Sequence, residues 1–421
     1  MGSRMRSLTH DEIPKPMLLL NGKPMLQWQI ENLAEYGIRN LVIITGHLGE
    51  RIKEYFGDGS GFGVSIQYIE EKEPLGSAGA LYFLKERFKD KDYLLIFGDV
   101  MFCLDWDRLI TFHEGHRAML TTLAHPNSHP FDSDLLITGE NDQVLGIDSK
   151  NNNRTYWYEN CVNAGIYAID RSVVEKITGP RRLDLEKDIL KPFLGMGAVY
   201  AYRSSEYVKD AGTPERFEKA CIEQQKGVWE KRCLRNKQRC IFLDRDGTIN
   251  KYRGLISREE ELELETAAAE AIRRINEAGY LAIVITNQPV VARGMCSIET
   301  VMSIHRKMST LLGNEGAYLD DIAFCPHHPD KGYPEENPIY KVPCSCRKPA
   351  IGMIEAMAVK YNIDLGHSWI IGDSTTDIQT GINAGLGTFL VRTGQAGRDG
   401  KYEVQADLEG ENLLAAVEKI I

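Results

Sequence analysis

Short runs of apolar, β-branched residues alternate with helical patterns along nearly all of this 421-residue chain. That alternation constrains the fold more than any other feature. Strands covered by helices on both faces read as continuous apolar runs, so the pattern predicts α/β architecture built on parallel sheets. Strands are expected over 40–45, 64–69, 93–97, 118–124, 163–169 and 198–202. A second set is expected over 240–243, 281–286, 322–324, 369–371 and 388–391. Between the sets lies 214–238, a charged helical stretch ending in the basic run 231–237, which reads as a solvated linker. The reading is therefore two Rossmann-like domains, 1–220 and 238–421, joined by 221–237. The length suits two or three domains, each with its own core.

Composition narrows the partners. With 43% hydrophobic and 26% charged residues the chain reads as globular, and a net charge of −10 argues against a nucleic-acid or anionic-membrane surface. It does not argue against phosphate ligands, which need only local cations. No apolar run approaches a membrane span and no signal-peptide pattern opens the chain. Cysteine is odd in number, nine, and three of them crowd into 325–346. That is metal spacing rather than a disulfide framework, so a reducing cytoplasm is expected.

Chemistry concentrates at strand ends. Asp244-Arg245-Asp246-Gly247-Thr248 follows the apolar run Cys240-Ile241-Phe242-Leu243. Two carboxylates two residues apart point the same way on a strand, so one can attack phosphorus while the other handles the leaving-group proton. Thr286-Asn287-Gln288 ends the next strand and supplies a hydroxyl and an amide for phosphoryl oxygens. Arg347-Lys348-Pro349 supplies cations, and Ile370-Ile371-Gly372-Asp373 is another strand ending in a carboxylate, suited with Asp244 to hold Mg²⁺. Open α/β sheets place their sites at these carboxyl ends.

In this order the motifs resemble the haloacid-dehalogenase phosphohydrolase superfamily over residues 238–421. The resemblance implies Asp244 as nucleophile and Asp246 as general acid/base. Thr286 and Lys348 would bind the phosphoryl group, with Asn287, Arg293 and Arg347 on the substrate. Mg²⁺ would lie between Asp244, the backbone carbonyl of Asp246, and Asp373; Asp377 either orients that site or caps a helix.

Cys325-Pro326-His327-His328-Pro329, with Cys344-Ser345-Cys346 beyond it, forms two ligand pairs across a loop. A closed Cys₃His zinc site of Cys325, His327, Cys344 and Cys346 is expected to be structural, with His328 as the alternative histidine. Because Cys346 adjoins Arg347 and Lys348, the zinc would fix those cations over the phosphate. The zinc loop and Ala292-Arg293-Gly294 resemble the D,D-heptose 1,7-bisphosphate phosphatases, with the histidinol-phosphate phosphatases as near relatives. Pro289-Val290 stands where that family usually has Ser-Gly. Proline lacks an N–H donor and fixes φ, so altered substrate placement is expected.

The first half resembles the sugar-1-phosphate nucleotidyltransferases over residues 1 to about 220. The likeness rests on Gly2-Ser3-Arg4, Pro14-Lys15-Pro16, Pro74-Leu75-Gly76-Ser77-Ala78-Gly79, Gly98-Asp99, Asn163-Ala164-Gly165, Leu185-Glu186 and Asp210-Ala211-Gly212. It implies Arg4 and Lys15 on the reacting phosphates, Gly2 and Ser3 in the phosphate loop, and Gly76, Ser77 and Ala78 in a base-binding turn. Asp99 and Asp210 would hold a second Mg²⁺, and Asn163 and Glu186 the sugar. Lys150 matches the lysine of a family Glu-Lys pair, with Ser149 in place of the glutamate. The sequence opens inside the glycine-rich loop, without the family's first strand. The expectation is therefore either a trimmed start or a domain with lost nucleotide affinity, since a central strand leaves its neighbours' backbone groups unpaired.

Together the halves resemble a fusion of a heptose 1-phosphate guanylyltransferase with a heptose bisphosphate phosphatase. The implied partners are heptose phosphates and an NTP, GTP by resemblance, with Mg²⁺ and structural zinc, and with neither nucleic acid nor membrane. Homo-oligomerisation stays open. So do two alternatives: a phosphatase whose first domain only binds ligand or dimerises, and a histidinol-phosphate-type phosphatase.

Overall fold

The computed structural model describes residues 5–87, 89–332 and 334–421. Gly2, Ser3 and Arg4 lie outside the described residues. The chain forms two compact units. One comprises residues up to His125, Leu136–Asp148 and Asn163–Cys233, and the other Pro126–Leu135, Ser149–Val162 and Leu234–Ile421.

The second unit is a six-stranded parallel sheet. Its spatial order is Asp321–Cys325, Leu281–Asn287, Cys240–Leu243, Trp369–Gly372, Gly387–Val391, Leu408–Gly410. In chain order the strands therefore run 3-2-1-4-5-6, and the direction of winding reverses beside Cys240–Leu243. Such a switch point opens a crevice at the carboxyl ends of the two flanking strands. Cys240–Leu243 is wholly buried, and its side chains alternate between two cores. Ile241 and Leu243 pack with Ala271, Ile272, Ile304 and Met308, whereas Cys240 and Phe242 pack with Ile283, Ile354 and Ile370. Period-two alternation into two apolar layers is why this run carries no polar residue until Asp244.

Two segments from the first half of the sequence belong to this unit, which the expected 1–220 block did not foresee. The hydroxyl of Thr310, on the helix Ile298–Asn314, accepts from the Tyr158 N–H at 2.9 Å. Its own hydrogen is shared between the carbonyls of Tyr158 (3.0 Å) and Arg306 (2.9 Å). A Cβ on Gly313 would fall 2.5 Å from Pro130, so glycine lets that proline lie on the helix. Arg154 ties the two segments together by donating to the carbonyls of Pro130 and Ser133 at 2.7 and 2.6 Å.

The first unit is mixed rather than purely parallel. In its six-stranded sheet Val199–Arg203 runs parallel to Leu120–His125, while Asp92–Ile96 runs antiparallel to Val162–Asp170. Asn40–Thr45 and Ser65–Glu70 form a parallel pair, and Val100–Cys103 pairs antiparallel with Tyr207–Asp210. The basic run at 231–237 is not a solvated linker throughout. Arg232, Cys233 and Leu234 are buried, and Arg232 Nε donates to the Ser205 carbonyl at 3.0 Å. Trp229, also buried, stacks on Tyr207 just ahead of it, so apolar packing overrides the local charge.

Candidate active sites

Asp244 emerges from Cys240–Leu243 and Asp373 from Trp369–Gly372, on either side of the switch point. Asp377 lies in the first turn of the helix Thr375–Ala384. All three are buried, with one carboxylate oxygen of each within 4.8 Å of the others. The Lys348 ammonium donates to Asp244 Oδ1 at 2.6 Å, to Asp377 Oδ1 at 2.5 Å and to the Ile285 carbonyl at 2.9 Å. Gly247, at φ +88°, passes so close that a Cβ would lie 2.2 Å from Asp373 Oδ2; only glycine fits.

Three buried carboxylates face one ammonium here, leaving an excess of negative charge. Burial first, then Asp377 and Asp246, push the Asp244 carboxyl up to about 7 against the pull of Lys348. Burial, Asp244 and Asp377 push Asp373 up to about 8. Burial would lower the Lys348 ammonium, but Asp244 and Asp377 outweigh it and hold the group above its ordinary value. Hard oxygens with uncompensated charge fit a divalent cation.

Asp377 fulfils a helix-capping role and an electrostatic one at once. Its Oδ2 accepts from the Ser374 N–H and hydroxyl in a capping box, while Oδ1 holds Lys348. The Asn287 amide clamps the Lys348 main chain, accepting at 3.0 Å and donating at 3.1 Å, rather than being free for phosphoryl oxygens as expected. Thr286 Oγ1 accepts from Gln288 Nε2 at 2.9 Å. The Asp246 carboxylate stands outside the three-carboxylate cluster, held by Arg245, Gln288 and Asn250. Those three holders, and His305 behind Arg245, escaped the sequence reading. Arg245 and Gln288 sit inside the motifs, where no role was expected of either.

Cys325, His327, Cys344 and Cys346 converge. The Cys346 sulfur lies 3.1 Å from Cys325 Sγ, 3.3 Å from Cys344 Sγ and 3.3 Å from His327 Nδ1. Four donor atoms around one centre fit a tetrahedral thiolate-imidazole metal site. His328 turns away, with Nδ1 accepting from the Asp330 N–H at 3.2 Å. Arg347 donates to the His327 carbonyl at 3.1 Å, so the loop holds the cation next to Cys346. The loop also grips the substrate-side turn. Asn337 N–H bonds the Ala292 carbonyl at 2.9 Å, and a Cβ on Gly294 would collide with the Glu335 carbonyl at 1.6 Å. The Pro289-Val290 departure is a packing one: Val290 is fully buried with Val291 and Val301, and Pro289 still accepts from the Arg293 N–H.

In the first unit, Lys15 Nζ donates to Asp99 Oδ2 at 2.9 Å, and Arg216 pairs with Asp210 Oδ2 at 2.6 Å. A Cβ on Gly212 would lie 2.7 Å from Asp210 Oδ1 and 3.4 Å from both Asp99 Oδ2 and Lys15 Nζ, so the three flank one point. Asn163 Nδ2 donates to Glu186 Oε1 at 3.0 Å and to Tyr167 at 2.8 Å, uniting the expected sugar pair. The turn Gly76-Ser77-Ala78 is strapped to the segment before Glu186. Ser77 Oγ accepts from the Leu185 N–H at 2.8 Å, the Ala78 N–H donates to the Leu183 carbonyl at 3.1 Å, and Gly76 leaves that carbonyl room. Lys150 belongs to the segment packed in the second unit, where its N–H bonds Asp134 Oδ1 at 2.8 Å.

Fold and sites thus define a haloacid-dehalogenase-type phosphatase unit and a nucleotidyltransferase unit in one chain. A nucleotidyl transferase family model matches residues 1–226, and a HAD-hydrolase-like model matches residues 345–416. The chain is 42% identical over 148 residues to the D-glycero-beta-D-manno-heptose-1,7-bisphosphate 7-phosphatase of Rhodopseudomonas palustris, covering 35% of this chain and 80% of that protein. It is 40% identical over 187 residues to the D-glycero-D-manno-heptose-1,7-bisphosphate 7-phosphatase of Thermosynechococcus vestitus, covering 43% and 94%. To the mannose-1-phosphate guanylyltransferase of Mycobacterium tuberculosis it is 29% identical over 236 residues, covering 56% and 65%. The chain belongs to the nucleotidyl transferase family through its first half and to the heptose bisphosphate phosphatases through its second.

Proposed function

We propose that this chain is a bifunctional enzyme of nucleotide-activated heptose synthesis. The second unit removes the 7-phosphate of heptose 1,7-bisphosphate, and the first transfers a nucleotidyl group, from GTP, to the resulting 1-phosphate. The observation that carries the phosphatase is the buried Asp244 at the switch point, bonded to Lys348 beside Asp373. The Asp244 carboxylate attacks phosphorus, the bond to the sugar oxygen breaks, and Asp246 gives that oxygen a proton. Water then attacks the aspartyl-phosphate, Asp246 takes its proton, and inorganic phosphate leaves. Lys348 and Thr286 hold the phosphoryl oxygens. Asp244, Asp373 and the Asp246 carbonyl would hold Mg²⁺, which supplies further charge stabilisation when bound. Cys325, His327, Cys344 and Cys346 would hold a structural zinc that fixes Arg347 and, with Arg293, the sugar end.

For transfer, an oxygen of the sugar 1-phosphate attacks the α-phosphorus of the NTP and pyrophosphate leaves. Lys15 meets the phosphates, and Asn163 with Glu186 holds the sugar. Asp99 and Asp210 would hold Mg²⁺ together with the ligand's own phosphate oxygens. The guanine preference rests on likeness to the mycobacterial guanylyltransferase. One observation favours a second reading, a first unit that only binds ligand: both carboxylates already carry an ion pair. Pyrophosphate release from heptose 1-phosphate, each NTP and Mg²⁺ separates the two. Release no greater than from the Asp99→Ala/Asp210→Ala chain would leave only the binding module. Among the described residues no helix is long and apolar enough to cross a membrane. A cytoplasmic setting is part of the proposal, since free thiols at the zinc loop need reducing conditions.

A further inference from the structure

Arg245 is the largest charged side chain with no exposed surface, and its guanidinium reaches no solvent. Its fork closes on Asp246: Nη2 lies 2.9 and 2.8 Å from the two carboxylate oxygens, and Nε lies 3.2 Å from Oδ1. Gln288 braces both partners, accepting from Arg245 Nη2 at 3.0 Å and donating to Asp246 Oδ2 at 2.8 Å. Behind the fork stands His305, whose Nε2 accepts from Arg245 Nη1 at 3.2 Å. The His305 ring is buried edge-on against Phe324, with ring centroids 5.3 Å apart. Burial, then Arg245, holds this imidazole well below its usual pKa, in keeping with its role as an acceptor.

We propose that His305 and Gln288, acting through Arg245, are positioning residues that aim the Asp246 carboxylate at the leaving-group oxygen. The inference rests on the proposed phosphatase chemistry with Asp246 as proton carrier. A buried guanidinium with an unfilled Nη1 would tilt toward another acceptor and take the carboxylate with it; His305 prevents that tilt.

Asp246 serves the water attack of the second step whatever the substrate, but in the first step only a leaving group that needs a proton should feel this aim, and kcat/KM reports that first step. Turnover is therefore compared on heptose 1,7-bisphosphate, whose sugar oxygen needs the proton, and on p-nitrophenyl phosphate, whose phenolate leaves without one. His305→Ala is expected to lower kcat/KM on the sugar phosphate on the order of tenfold more than on p-nitrophenyl phosphate. His305→Gln, which keeps an acceptor, is expected to recover most of the difference. Arg245→Lys keeps the charge without the fork, is expected to discriminate as His305→Ala does, and serves if that chain fails to fold. Equal losses on both substrates in His305→Ala and Arg245→Lys would overturn the inference. Asp246→Asn marks the underlying reading. If it does not discriminate between the substrates, the acid/base role falls; if it does and the other two do not, only the positioning role falls.

Discussion

As the proposed nucleophile Asp244 must be ionised, yet its surroundings resist ionisation. Burial and the neighbouring carboxylates raise it to about 7, and Asp373 to about 8. A carboxyl raised in the fold stabilises the fold fully below the ordinary carboxylate range, and that contribution is lost as pH rises through the folded value. Without added Mg²⁺ the phosphatase unit should therefore unfold at lower temperature at pH 8.5 than at pH 6, and Mg²⁺ should restore more at the higher pH. Thermal melts at both pH values check this; an equal Mg²⁺ effect at both would contradict it. Asp244→Asn should abolish turnover, leave the fold intact and flatten the metal-free pH dependence, because one of the repelling charges is gone. Asp244, Thr286, Lys348 and Asp373 were legible in the sequence because each closes a strand or a short motif whose chemistry is local. His305 and Gln288 were not, since their meaning is a bond to Arg245 across 60 and 43 residues of chain.

At the level of elements, what could be read depended on how far burial wrote itself into the residues. Cys240–Leu243 faces two cores and is apolar throughout, so its bounds were readable. Val100–Cys103 and Tyr207–Asp210 pair with each other at the transferase site. The first is apolar but only four residues long and starts directly after a turn, the second mixes apolar with polar residues, and neither was expected. The convergence of Cys325, His327, Cys344 and Cys346 was readable by the opposite route, through ligand spacing rather than periodicity, and the zinc proposed for it can be tested. Cys344→Ser should lower bound zinc from about one equivalent per chain and raise KM for heptose 1,7-bisphosphate. Arg347 depends on the His327 carbonyl for its place, and Asn337 on the same loop holds the turn bearing Arg293. Elemental analysis and steady-state kinetics give the two readouts. Zinc loss with unchanged KM would detach the loop from the substrate end.

Across the whole molecule, sequence order and compactness part company at Pro126–Leu135 and Ser149–Val162, which belong to the second unit although family likeness places them in the first. No composition shift marks them, and their anchors, the Thr310 hydroxyl and the Gly313 surface that receives Pro130, lie on a helix about 150 residues away. Thr310→Val keeps the volume and removes that hydroxyl together with its bonds to the Tyr158 N–H and carbonyl. The expected cost is about 1–3 kcal/mol, read as faster hydrogen exchange at the Tyr158 amide than in the parent chain. A chain ended after Cys233 removes the helix Ile298–Asn314 altogether. Its 126–135 and 149–162 segments should then be cut by protease well before the rest of it, whereas in the full chain they should be protected. Equal protection in both chains would mean that the segments hold themselves, with Arg154 and its carbonyl partners sufficient.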